Sequence, residues 1–331
     1  MTVASKTERK IWIWITALVL VVITSVAGTA YYIATSTREK LVISTTTSLY
    51  DTLLLDVIED QFEAEYPIDL YFISAGTGLA IKHAQRGDAD MILVHDPSKE
   101  RAFLENGHGV CRKIIAYNFF AIVGPEADPA EINGLLPPPA LLEIVEAGRN
   151  GQAKWVSRGD DSGTHTKEKG LWNDAGLNRT ELREEEWYIE AGAGMGTTLQ
   201  IAEQFSAYTL ADMGTYLKYY KDNIITLKEL VTQGEELLNV YSGIAVNKSM
   251  HPNVNFDGAI SFIEFLISER GQQIIKDYGK NTYGQSLFYP AVGLLKENTE
   301  PAAVQWIKNY AFFDGYECPP EYQNDHPELY S

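Results

Sequence analysis

The chain is poor in residues that hold metals or carry thiol chemistry. Its 331 residues include two cysteines, Cys111 and Cys318, and six histidines. Neither cysteine sits in a CxxC pair and the histidines show no HExxH-type spacing, so no metal centre is expected. Positive charge is also short: 27 Lys and Arg face 45 Asp and Glu, a formal net charge of −18. Nucleic acid as a partner would call for a basic face, and none is on offer. A GxSxG elbow is missing too. Ser162 and His165 invite an ester-hydrolase reading, but nothing supplies the oriented third group, and the chain is read as no enzyme.

Long hydrophobic runs are absent with one exception. Residues 11–34 carry no charge and follow Lys6, Arg9 and Lys10. At ~1.5 Å per residue this run can cross a bilayer. Its basic flank keeps the N-terminus in the cytoplasm and puts everything after Arg38 outside. An uncleaved anchor in the cell membrane is the favoured reading. A signal peptide cut near Gly28-Thr29-Ala30 would instead leave a secreted or periplasmic body. Outside the cytoplasm Cys111 and Cys318 could form one disulfide on the C-terminal tail; the sequence leaves this open.

What the body does contain is a regular alternation of short apolar runs and amphipathic segments. Residues 41–44 read as a buried strand, and Leu54, Leu55, Ile58 and Phe62 recur at helical spacing. Strands follow at 68–73 and 91–94, with a helix opened by Pro97 and ended by Gly107. This βαβαβ rhythm predicts an α/β fold with a parallel sheet and helices on both faces. Further strands are expected at 119–123, 155–157, 187–189, 224–227 and 240–246. Helices are expected at 164–175, 197–206, 212–221, 257–278 and 302–312. The organisation is then an anchor over 1–40, one lobe from 41–116 with 250–331, and a second lobe from 117–249.

Ligands of such sheets sit beyond the carboxyl ends of strands. Four of these junctions are rich in hydroxyls or glycine: 45–48, 74–78, 157–164 and 192–197. Two fall in each lobe, so a cleft closed from both sides uses all four. The fullest is WVSRGDDSGTHTKEKGLW, residues 155–172, where a strand end loops into a helix start. Such a start leaves backbone N–H groups unpaired beside the positive end of the helix dipole, a ready anion site. Arg158 adds a guanidinium shaped to fork onto an oxyanion. The plainer reading is a capped helix, with Thr164 as cap and Arg158 paired to Asp160 or Asp161 on the surface.

TTTS after the first strand, the GTG turn after the second, SRGDDSGTHTKEKGLW, and YTLADMGTYL at 208–217 together resemble the tungstate-binding proteins of ABC importers. The resemblance covers about residues 41–289. It implies a type II periplasmic-binding-protein fold, two α/β lobes joined by a hinge; the N-terminal transmembrane helix expected before them is a departure from the family, where many relatives are secreted or lipid-attached. It also implies a ligand set: Thr46, Thr47, Ser48, Gly76, Thr77, Arg158, Ser162, Gly163 and Thr164, with backbone donors near Gly196 and Thr197. The implied ligand is tungstate or molybdate, bound without a cofactor, and the implied partner is an ABC permease subunit. The donor chemistry agrees, because a group 6 dianion carries no proton near neutral pH and takes only donors. Hydrogenphosphate would want a carboxylate acceptor as well, with Asp51 as a candidate, and phosphate binding is the alternative.

Overall fold

The structure, a computed structural model, describes residues 38–160 and 162–330, with Trp14, Val19, Leu20 and Thr24 before them. The anchor expected at 11–34 thus falls almost entirely outside the described residues. Among those described, no helix is long and apolar enough to cross a membrane.

The first part of the chain runs β1 (Glu39–Thr46), α1 (Thr47–Tyr50), α2 (Leu54–Glu65), β2 (Ile68–Ala75), α3 (Thr77–Gln85), β3 (Met91–Val94) and α4 (Pro97–Glu105). β4 (Gly109–Gly124) leads into α5 (Pro137–Arg149), β5 (Trp155–Ser157), α6 (Gly163–Asp174), α7 (Arg179–Leu182) and β6 (Tyr188–Glu190). Then come α8 (Met195–Phe205), β7 (Thr209–Asp212), α9 (Met213–Lys221) and β8 (Lys228–Val231). β9 (Leu238–Val246) returns the chain to α10 (Phe256–Ile267), α11 (Glu269–Asp277), α12 (Lys280–Tyr283), β10 (Tyr289–Pro290), α13 (Val292–Glu297) and α14 (Pro301–Ala311).

The strands of the first sheet lie in the order β10-β4-β9-β3-β1-β2. β1 is parallel to β2 and β3, as the βαβ rhythm predicts. β9, however, enters between β3 and β4 and runs antiparallel to both, so the sheet is mixed and not parallel. Residues 240–246, counted by sequence with the second lobe, therefore sit in the first sheet, with Ala245 beside Met91. β4 belongs to two sheets. Its earlier residues pair with β9, and from Phe120 to Gly124 it pairs with β7 and β8. β5 and β6 form a parallel pair, joined to the region before β7 by a bridge from Trp155 to Tyr208.

Sequence pattern found only the far end of β4 because Arg112 and Lys113 interrupt its apolar run. Both are buried and matched: Arg112 Nε meets Glu100 at 2.8 Å and Lys113 Nζ meets Glu317 at 2.9 Å. Residues 224–227, expected as a strand, precede β8 instead as a bend and loop. The expected helix over 257–278 is two helices, because Ser268 leaves helical geometry and its Oγ caps α11 by accepting from Gly271 N at 3.1 Å. The C-terminal tail lies against the start of β4. Ile114 N and Arg112 Nη1 donate to Glu317, and Cys111 Sγ donates to Gln323 O at 3.2 Å. Cys111 and Cys318 are both buried free thiols, so hydrogen bonds hold the tail and no disulfide does.

α6 carries a charge into the interior. Lys167 Nζ donates to Glu236 O at 3.0 Å and stands 3.8 Å from the Tyr310 ring centre. Burial lowers its pKa from 10.5 to about 7, against the pull of Asp174, Asp96 and Glu236. Between those two values the unfolded chain holds a proton that the folded chain has shed, so Lys167 makes unfolding free energy rise with pH. Urea denaturation near neutral pH and about two units higher should show a rise, from this group, of roughly 1–2 kcal/mol that Lys167→Met lacks. An equal rise in the variant would mean that Lys167 keeps its proton throughout.

Candidate functional site

The loop between β5 and α6 is held from below by one carboxylate. Glu168 is buried without a cation and accepts from Trp155 Nε1 (3.0 Å), Trp172 Nε1 (3.1 Å), Tyr188 OH (2.6 Å) and Ser157 Oγ (2.8 Å). Ser157 Oγ in turn accepts from Gly159 N at 3.2 Å, beside Arg158. Ser162 caps α6: its Oγ accepts from His165 N at 3.1 Å and donates to Asp160 Oδ1 at 2.5 Å. His165 Nδ1 bonds the Asp160 carbonyl. Burial, with Arg179 and Lys169, lowers the His165 pKa to about 4, so the ring is a neutral brace for the loop. Ser162 Oγ meets the His165 amide and not its ring, which removes the nucleophile–base pair a hydrolase would need.

From this frame the loop reaches the other half of the molecule. Gly163 N donates to Thr77 Oγ1 at 3.0 Å, bringing the starts of α6 and α3 together. Arg158, only 2% exposed, donates through Nη2 to Asp160 Oδ2 at 2.6 Å and to Thr47 Oγ1 at 3.4 Å. The start of α8 comes to the same place, since a methyl on Gly194 would stand 3.8 Å from Thr47 Oγ1. α9 closes over α1, with Thr215 Oγ1 donating to Ser48 O at 3.3 Å and Lys218 Nζ to Asp51 O at 2.8 Å.

The residues expected from sequence fall as follows. Thr46 is buried and caps α1, accepting from Leu49 N at 3.4 Å, with Ser48 Oγ 3.3 Å away. Thr47 lies under Arg158, Gly76 caps α3, and Thr77 receives Gly163. Ser162, Gly163 and Thr164 form the buried first turn of α6. Gly196 sits in the first turn of α8 against the Tyr219 hydroxyl, which any side chain there would strike. Thr197, expected to lie near a backbone donor, has an exposed side chain, while the next residue, Thr198, is buried and donates to Gly194 O at 3.0 Å. This turn offers backbone N–H groups to the seam and not the Thr197 hydroxyl. Asp51, the carboxylate the phosphate alternative would need, ends α1, and burial raises its pKa against Lys218 and Arg158.

Unmet polar atoms collect here. Among the described residues seven buried side-chain polar atoms lack a hydrogen-bond partner, and Arg158 Nε and Thr164 Oγ1 are two of them. Leaving a buried donor unmet costs ~1–3 kcal/mol, so each calls for an acceptor at the seam. A small anion with oxygens on every side would serve both. Sequence reasoning passed over His95, which the structure sets behind Ser48 with Nε2 at 3.3 Å from its Oγ. The signal was present: His95 follows directly after β3, at a carboxyl strand end where ligands gather. Gly163 packs on this ring, and a methyl there would lie 2.7 Å from His95 Cε1. Gly163→Ala should therefore cost about 1 kcal/mol of stability, at the low end of overpacking, in chemical denaturation. A midpoint equal to the parent's would mean that the ring yields freely.

Two α/β halves, a pair of long strands passing between them, and helix starts meeting at one seam define a two-lobed binding protein. The profile of the PBP superfamily domain matches residues 31–270. The chain is 39% identical to a tungstate-binding protein, TupA, of Peptoclostridium acidaminophilum over 77% of its own length and 87% of that relative. A solved tungstate-binding protein, TupA, from Desulfovibrio alaskensis G20 is 38% identical with a TM-score of 0.65, over 76% of this chain and 98% of that one. The solved structure of the tungstate ABC transporter from Geobacter sulfurreducens is 41% identical, again with a TM-score of 0.65, over 72% of this chain and 99% of that one. The chain belongs to the PBP superfamily, with the type II periplasmic-binding-protein fold, and within it to the family of the TupA tungstate-binding proteins.

Proposed function

We propose that the chain is an extracytoplasmic solute-binding protein, not an enzyme, that captures tungstate between its lobes and delivers it to an ABC permease. The lobes of this reading are residues 39–116 with 238–330 and residues 117–237, hinged where β4 and β9 pass from one to the other. Residues 11–34 anchor the body at the outer face of the membrane. Relatives that carry the tungstate and ABC-transporter names support the ligand and the partner.

The observation that carries the reading is the pair of unmet buried donors at the seam, Arg158 Nε and the Thr164 hydroxyl. With them at the seam are the hydroxyls of Thr46, Thr47, Ser48 and Thr77 and the first amides of α3, α6 and α8, that of Gly196 included and that of Gly163 once it turns from Thr77. All are donors, which suits an anion without a proton. Held in place beforehand, they replace the anion's water at little reorganisation cost. Calorimetric titration with tungstate, molybdate, phosphate and sulfate in one buffer tests it. Tight tungstate binding, with sulfate weak because it is smaller, is the expected result. Phosphate binding without a tungstate signal would overturn it.

A further inference from the structure

Behind Ser48 lies a buried polar chain that capture by donors alone does not explain. The His95 ring is 2% exposed, stacked on Tyr241 with centres 4.9 Å apart. Its Nε2 lies 3.3 Å from Ser48 Oγ and its Nδ1 lies 2.8 Å from Asn239 Oδ1. Asn239 Nδ2 faces three acceptors, Tyr241 OH at 2.9 Å among them, and its amide orientation follows from them. The Asp212 carboxylate accepts from Tyr241 OH at 2.7 Å, from Asn239 Nδ2 at 3.2 Å and from Asn118 Nδ2 at 3.3 Å. Asn239 Nδ2 also donates to Asn118 Oδ1 at 2.9 Å. The Asn239 amide is thereby oriented with its oxygen toward His95, so Nδ1 carries the proton.

It follows that Nε2 of the neutral ring is a bare lone pair, and the Ser48 hydroxyl spends its one proton on it. Ser48 then offers only lone pairs elsewhere, and Thr46 Oγ1 at 3.3 Å can donate to one of them. A fully ionised oxyanion needs the opposite, a donor. A proton added at Nε2 reverses the bond: His95 donates to Ser48, and the Ser48 O–H is released toward the ligand.

We propose that His95 is a positioning residue of the site that takes up one proton from solvent when a fully ionised oxyanion binds, turning Ser48 from donor on His95 to donor on the anion. This rests on the oxyanion-binding function proposed above. The surroundings of the ring agree. Burial lowers the His95 pKa, against Asp212, the Asn239 hydrogen bond and Asp96, while Arg158 lowers it further. Among the described residues the contacts on the ring from α1, β4 and α6 are the uncharged Ser48, Phe120 and Gly163, and β9 presents Asn239 and the Tyr241 phenol. A bound dianion offsets the Arg158 charge and adds its own attraction, so the same ring gains a proton in the complex. Because the complex then holds one proton more than its parts, affinity falls as pH rises.

The test is calorimetric titration of tungstate in Hepes and in Tris, whose ionisation heats differ, with the dissociation constant followed from about pH 7 to about pH 8. The parent should take up most of one proton, and its dissociation constant should rise by up to ~tenfold per pH unit. His95→Gln should bind with no uptake and a flat profile. Ser48→Ala, which keeps the ring but removes the hydroxyl it turns, should also lose most of the uptake, and it stands in should His95→Gln not fold. Tight tungstate binding without uptake in the parent, or with equal uptake in both variants, overturns the role of His95 and leaves the function standing. Absence of tungstate binding in the parent overturns both.

Discussion

Arg158→Ala should weaken tungstate binding by ~1.5–3 kcal/mol, roughly ten- to a hundredfold, the scale of a charged hydrogen bond. The guanidinium is buried, joined to Thr47 across the seam and to Asp160 in its own loop, with Nε unmatched. Alanine removes the charged donor of the proposed site and leaves the Asp160 carboxylate bonded to Ser162. Like charge would then face the incoming anion. Arg158→Lys keeps the charge but loses the planar fork, so it should recover part of the affinity and no more. Calorimetry on both variants, beside thermal melts to confirm folding, decides the matter. Parent-like affinity in the folded alanine variant would remove Arg158 from the site.

Glu168→Ala should produce the largest loss of stability, ~3–5 kcal/mol in chemical denaturation, because two indoles, a phenol and a hydroxyl lose their acceptor at once. Glu168→Gln separates geometry from charge. Oε1 takes Trp155, Trp172 and Tyr188, while Oε2 takes only Ser157, whose hydroxyl can reverse. An amide with its oxygen toward the three ring donors and its nitrogen toward Ser157 satisfies the set. Burial already raises the Glu168 pKa, so loss of the charge is no penalty in itself. Glutamine should therefore cost only about 1 kcal/mol, one ordinary hydrogen bond. A glutamine variant as unstable as alanine would show that the negative charge, and not the acceptor pattern, holds the loop.

The seam was legible in the sequence where its chemistry is local. Strand ends rich in hydroxyls, the glycine at the start of α3 and the capped start of α6 announce themselves within a few residues, and the structure brings these stretches together. Which hydroxyl of the Thr197–Thr198 pair is buried was not legible, because one position along a helix turns a side chain by about 100°, enough to bury Thr198 and expose its neighbour. β4 was cut short because its two charges are neutralised by Glu100 and Glu317, partners at either side in sequence that no local pattern reveals. The His95–Asn239–Asp212 chain is gathered from β3, β9 and the end of β7. None of the three carries a motif with the others, and only the fold makes them neighbours.

The place of β9 sets the order in which this protein can be made. Until residues 238–246 have emerged, β3 and β4 have no common neighbour and each exposes an unpaired strand edge. The stretch from α5 to β8 is nearly continuous in the chain and can close on the far end of β4 early. The sheet that begins with β1, synthesised first, is completed last. Contacts of such long sequence separation slow folding and lengthen the time during which open edges can find the wrong partner. The waiting time of β1 to β3 is thus the stage most exposed to aggregation, and a fragment ending short of β9 would never leave it.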